Sequence, residues 1–223
     1  QGFRSEDWIK NGRQGAFEVN NFTSPAFVAR VNYHGVKGLR VGASFYYNQT
    51  AKNGTKPWRN TGYKFPVTIV TGDLQYKGFN NNLIVRGNAV YGNLGASGAL
   101  TTINNSSSAA SGYPNTTVAQ NAVSYGGEAG YNIGSFFHSK APRIYPFIRY
   151  EYYNPMEKTE ANTGLLADKR FQVSAVTAGL NYYALPNLVI KADYTHRSIG
   201  GGKYNDENLV SVGIAYIGWF IKK

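Results

Sequence analysis

The chain has 223 residues, with 18 Tyr, 26 Gly, no Cys and a formal net charge of +11, and its mean hydropathy is −0.37. Without Cys there is no disulfide scaffold and no thiolate metal site, and without about eighteen consecutive apolar residues there is no transmembrane helix. Strands that cross a membrane stay possible, because they hide their apolar half between polar residues.

The cationic surplus calls for an anionic partner or surface. No basic run or recognition motif points to nucleic acid. Lipopolysaccharide phosphates and small anionic solutes suit the charge better.

Residues 1–26 carry little pattern. The first thirteen read as a loop or short helix around Trp8 and Ile9, and Gln14-Gly-Ala-Phe-Glu-Val-Asn20 alternates weakly. From 27 to 223 the chain reads as a barrel wall. Strand-length stretches of period two recur near 27–34, 39–49, 66–77, 83–93, 124–134, 144–154, 171–183, 188–198 and 208–220. Their lengths are close to the roughly nine to eleven residues that a tilted strand needs to span a membrane.

The last stretch displays the unit most clearly. Val210, Val212, Ile214 and Tyr216 share one face, while Ser211, Gly213 and Ala215 share the other. Trp219, Phe220 and two lysines follow, an order that suits a strand leaving a lipid layer.

Connections alternate in length. Those at 35–38, 78–82, 133–143 and 184–187 are the shorter ones. Those at 50–65, 93–123, 155–170 and 199–207 are mostly longer and rich in Gly, Asn, Ser, Thr or Lys. Within 93–123 the low-complexity run 106–111 is expected to be mobile. Short turns on one side and long loops on the other is the layout of a bacterial outer-membrane barrel, with its short turns periplasmic. The expected fold is therefore all-β: a transmembrane antiparallel up-and-down barrel with about nine to ten strands in this chain.

Two aromatic girdles follow from that orientation. Tyr33, Tyr76, Tyr131, Tyr182 and Tyr216 belong to the periplasmic one, and Tyr47, Tyr91, Tyr152 and Tyr194 to the outer one. The opposite phase is polar and is expected to line a lumen. It holds Arg30, Arg40, Asp73, Arg86, Glu128, Arg149, Glu151, Lys191, Asp193 and Arg197, besides Lys77. A packed core would not tolerate so many charges. Cations outnumber acids there, which favours anions in a pore; mutually compensating ion pairs are the alternative.

An odd strand count is awkward, since such barrels are even-numbered. Either 14–21 hides one more strand, or the chain is the C-terminal part of a longer barrel, which is the preferred expectation.

Three stretches carry a family resemblance: Tyr145-Pro-Phe-Ile-Arg-Tyr-Glu-Tyr-Tyr-Asn-Pro155, Ala184-Leu-Pro-Asn-Leu-Val-Ile-Lys-Ala-Asp-Tyr194 and Trp8-Ile-Lys-Asn-Gly-Arg-Gln-Gly-Ala-Phe17. They resemble the later part of outer-membrane porins of the phosphate-selective O/P type. The resemblance implies a barrel of about sixteen strands, often trimeric, that passes anions through a constriction lined by Arg and Lys. It brings no phosphate-binding residue with it. A homotrimer or another outer-membrane protein is the implied protein partner.

Other chemistry is sparse. His34, His138 and His196 have no metal-ligand spacing, and no cofactor is expected. Gly200-Gly-Gly-Lys203 lacks the phosphate-loop spacing and reads as a turn. His196 and Ser198 share a strand face near the outer rim and resemble the His-x-Ser pair of barrel lipid A deacylases, with Asp206 or Glu207 to orient the imidazole. A rim histidine bonded to headgroups is the preferred reading, and no enzyme is expected. The expected function is passive diffusion of small anionic or polar solutes. The runner-up is a closed, anchoring barrel whose lumen is filled by 95–123 or by charge pairs.

Overall fold

Antiparallel hairpins build almost all of the chain in the computed structural model, which describes residues 3–10, 25–50, 64–111, 117–137 and 142–216. Nine strands follow in order: β1 (Ala26–Tyr33), β2 (Leu39–Thr50), β3 (Phe65–Gly78), β4 (Leu83–Leu94), β5 (Asn121–Tyr131), β6 (Arg143–Lys158), β7 (Val173–Leu185), β8 (Leu188–Ile199) and β9 (Asp206–Tyr216). Each pairs with the next, giving one up-and-down sheet without a crossover. Period-two patterning predicted this all-β architecture, and every expected strand is present. Among the described residues β1 pairs only with β2, and β9 only with β8. The stretch 14–21, most of 50–65, His138, Trp219 and Phe220 lie outside the described residues.

Several boundaries differ from the sequence expectation, each for a local reason. β5 stops at Tyr131 because the Asn132 side chain turns the chain. Its amide donates to Asn82 Oδ1 at 3.0 Å, and its oxygen accepts the Ile144 N–H at 3.0 Å. A 3-10 turn, Ile133–Phe136, then replaces the expected end of the strand. β6 runs through Pro155 to Lys158, past the expected end at 154. The ladder shifts register here between Asn121 and Val123, and a bulge tolerates a residue without an N–H.

β7 begins two residues late because Lys169–Phe171 forms a 3-10 turn. Asp168 caps that turn and takes hydrogen bonds from the Arg170 side chain and backbone, which hold its carboxyl below the ordinary range. That clasp is present above the ordinary carboxyl pKa and is lost as pH falls through the lowered one.

The run 106–111, expected to be mobile, belongs to a helix, α1 (Ser97–Ser111). The helix is held in place by what surrounds it. Gly98 N–H near its start donates to Glu160 Oε2 at 2.6 Å, and Thr101 Oγ1 accepts the Val118 N–H at 2.9 Å. The 3–10 segment packs beside it, with Trp8 Nε1 donating to Ala119 O at 3.0 Å and Ser5 Oγ donating to Thr117 O at 2.7 Å.

The hydrophobic cluster Trp8, Phe65, Val67, Leu94, Val118, Ala119 and Met156 forms beneath this cap. Phe65 and Val67 share the sheet face of Asp73, and Leu94 that of Arg86, by period two. The cap therefore covers the loop end of the charged face. Trp8 rests where Gly92 has no side chain, since a Cβ there would overlap the indole ring.

The opposite face is apolar and exposed. Val31, Ile148, Val210, Val212 and Ile214 are 73%, 58%, 74%, 75% and 72% accessible. A sheet face left this apolar in contact with water would be an aggregation hazard.

Candidate functional site

Register decides which side chains can meet across the sheet. On the apolar face, Tyr33 sits in the row of Val41 and Leu74, two residues short of Tyr76. The same two-residue step leads from Tyr76 to Tyr131, then Tyr182, then Tyr216. The five tyrosines thus lie on one slanted line that shifts by a single residue per strand. A shift of about 3.4 Å for each strand spacing of about 4.8 Å is a slant of about 35°. That matches the roughly 35–45° by which barrel strands tilt from the barrel axis.

Tyr47, Tyr91 and Tyr152 rise on a parallel line. Its next place, on β8, belongs to His196 and not to Tyr194, which sits two residues nearer the turn end. The two lines are seven residues apart along any strand, about 20 Å when projected at that slant.

The same slant sorts the charged face by level. Arg30, Asp73, Arg86, Glu128, Arg149, Lys191 and Asp193 fall within about 6 Å of one height. Glu151 lies above them. Arg197 lies at the loop rim and Arg40 at the turn rim. Seven of the ten residues expected to line a lumen therefore form one band, which sequence order alone could not reveal.

Two carboxylates of the band, Asp73 and Glu128, each serve two arginines. Asp73 Oδ2 accepts from Arg30 Nη2 at 2.7 Å, while its Oδ1 lies 3.5 Å from Arg40 Nη2, an ion pair without a hydrogen bond. Glu128 Oε2 accepts from Arg149 Nε at 2.9 Å, and its Oε1 from Arg86 Nη1 at 3.4 Å. Both carboxylates are mostly covered, whereas Arg86 keeps 56% of its side chain accessible. Each Arg–carboxylate–Arg group keeps one net positive charge. Glu151 reaches Arg149 only at 4.0 Å. Lys191 and Asp193 have no ion-pair partner among the described residues. At the rim Arg197 pairs with Glu207 and donates to Tyr153 Oη at 3.1 Å. Arg40, Asp73, Arg86, Glu128 and Arg149 line an open depression of about 420 Å³ together with Gln75, Asn88 and Glu151.

Two glycines let the band cross strands. A Cβ on Gly42 would collide with the Arg30 guanidinium and the Asp73 carboxylate that meet above it. On β7 a Cβ at Gly179 would lie 2.7 Å from both Phe147 Cε1 and Asp193 Cβ, and the Arg149 guanidinium stands 5.7 Å from the Phe147 ring.

Strand propensity by itself would make Gly42→Val stabilising by up to about 1 kcal/mol. Losing a charge-assisted bond costs about 1.5–3 kcal/mol when buried, and less here because Arg30 is 40% exposed. The expected net is a loss of about 1 kcal/mol in urea unfolding, absent in an Asp73→Asn background. An equal loss in both backgrounds would separate Gly42 from the ion pair.

No protein-family model matches the chain, and no curated relative is detected by sequence.

Proposed function

We propose that the sheet is part of the wall of a β-barrel in a bacterial outer membrane, with the charged face toward a water-filled lumen that passes small anionic solutes. The carrying observation is the pairing stoichiometry around the band: Asp73 and Glu128 each serve two arginines, with Arg40 reaching Asp73 from the turn rim. Rings of Arg and Lys favour anions, and weak, distributed attraction lets the solute leave again. The apolar face meets lipid. Its two slanted tyrosine lines become level girdles once strands tilt by about 35°, and their spacing of about 20 Å sits slightly inside the roughly 25 Å apolar band of such barrels. Lipid, lipopolysaccharide and other copies or barrel proteins are the partners on this reading. Phosphate selectivity is not part of it.

The second reading, a closed anchoring barrel, is favoured by one observation: α1 and the 3–10 segment pack over the loop end of the charged face. Planar-bilayer recording of the full-length protein separates the two. Anion-selective conductance is expected. Absence of conductance would favour the anchor, and cation preference would remove the pore assignment.

A further inference from the structure

Each of the four short turns holds a large apolar side chain out in the open. Val36, Phe79, Phe136 and Leu185 are between 49% and 72% accessible. The turns differ in length and conformation, so the shared feature belongs to the rim they form and not to one kind of turn.

These side chains are tied to the turn-end tyrosine line. Tyr33-His34-Gly35-Val36 and Tyr76-Lys77-Gly78-Phe79 repeat one order, Tyr-x-Gly-apolar. A Cβ on Gly35 would overlap the Tyr33 ring, and one on Gly78 the Tyr76 ring, so both rings lean past the line toward the turn. Phe136 reaches back to the line, its ring stacked on that of Tyr131 with centroids 5.3 Å apart. On β7 the ladder slips between Tyr183 and Leu185. Without the slip Leu185 would share the charged face with Tyr183. With it, Leu185 stands opposite Leu188, on the apolar face with Ile190.

Phe79 is held out against its own backbone preference. Phe79, Asn80 and Asn81 have φ of 51°, 55° and 66°, a left-handed region that Asn tolerates and a bulky side chain avoids. The run is pinned at two places. The Asn82 N–H donates to Phe79 O at 3.1 Å, and the Tyr145 hydroxyl donates to Asn81 O at 2.9 Å. Strain maintained to expose a phenyl ring points to something for the ring to enter.

Height on the sheet indicates the partner. Val36, Phe79 and Leu185 stand two or three residues beyond the tyrosine line, about 6–8 Å at the slant of the strands. Added to the roughly 20 Å between the two aromatic lines, this raises the apolar height to about 26–28 Å. A hydrocarbon core is about 30 Å thick, with a headgroup layer outside it. Continuity with the aromatic line, on the same face and at a height that completes a bilayer, favours lipid over a protein docked beneath the rim.

We infer that Val36, Phe79, Phe136 and Leu185 form a second apolar rim that enters the phospholipid leaflet at the turn end, beneath its headgroups. This inference rests on the membrane-wall reading. The tyrosine line then marks the inner edge of the interface and the rim its outer edge. Lys37, exposed beside Val36, extends its ammonium to the lipid phosphates. The rim makes the apolar surface longer at the turn end only, and so fixes how deep the wall sits.

The chain has no Cys, so one introduced thiol carries a spin label without competition. Phe79→Cys, Leu185→Cys and, between the aromatic lines, Ile148→Cys are labelled in the full chain in phosphatidylethanolamine–phosphatidylglycerol vesicles. Collisions with oxygen, which concentrates in lipid, are compared with collisions with a nickel chelate, which stays in water. Oxygen is expected to dominate at both turn sites, less strongly than at residue 148. Nickel dominant at the turns with oxygen dominant at residue 148 would overturn the inference and leave the wall reading standing. Nickel dominant at all three sites would remove both. A label-free variant, Phe79→Ser with Leu185→Ser, guards against a label that seeks lipid by itself. Its urea midpoint should fall in dioleoyl phosphatidylcholine vesicles and hold in thinner dilauroyl ones, where the rim stands clear of the apolar layer. An equal fall in both would mean that the rim packs against protein, and would overturn the inference.

Discussion

Replacing Arg86 and Arg149 together by glutamine is expected to turn the proposed pore from anion-preferring to cation-preferring. Glu128 is held by these two arginines alone among the described ion pairs, so the group moves from one net positive charge to one net negative. At about 4 Å in water a unit charge is worth about 1 kcal/mol, roughly fivefold in relative permeability per charge step. The double substitution spans two steps, so a change of about twentyfold or more is expected. Either single substitution should give an intermediate value, and Glu128→Gln should move selectivity the other way. Reversal potentials under a salt gradient provide the measurement. Selectivity indifferent to the double substitution would mean that the band does not face the conduction path.

Ile148→Arg is expected to cost about 2–4 kcal/mol for folding into lipid vesicles, the range for a cation placed near the midplane on a lipid-facing strand. Ile148 lies between the two aromatic lines on the apolar face and is 58% accessible. The matched control is Ser211→Arg on the charged face, where the new cation stands opposite Asp193 and should change stability by less than about 0.5 kcal/mol. Urea titrations in vesicles compare the two. Equal, small effects would mean that both faces meet water, which would favour a soluble sheet over a membrane wall.

The sequence was most informative where a property repeats along the chain. Alternation of apolar and polar residues placed all nine strands and both faces, because a strand exposes successive side chains on opposite sides. It erred where one side chain redirects the backbone, as at Asn132, and where a proline sits at a bulge, as at Pro155. It also took 106–111 for a mobile run, since neither the Glu160 contact at the start of α1 nor the Trp8 cluster beneath the cap is visible locally. Charges on the polar phase were legible as a set. Their stoichiometry was not: Arg30 and Asp73 are 43 residues apart, and only the ladder lets them meet over Gly42.

Spacing offered Asp206 or Glu207 as the neighbour of the His196 imidazole; in the structure Asn208 Oδ1 lies 2.9 Å from His196 Nδ1, Asp206 is 3.9 Å from Nε2, and Glu207 is on the charged face with Arg197. Residue spacing cannot say which member of a facing strand lies opposite, and a register shift of one residue exchanges the two faces. What the sequence by itself determined, then, is strand content, face polarity and the alternation of loop lengths, all local and periodic properties. Tertiary structure alone decided the register, and with it the slant of the tyrosine lines, the level of the charged band and the choice of Asn208, because each depends on how far one strand slides along its neighbour before the backbone hydrogen bonds lock it.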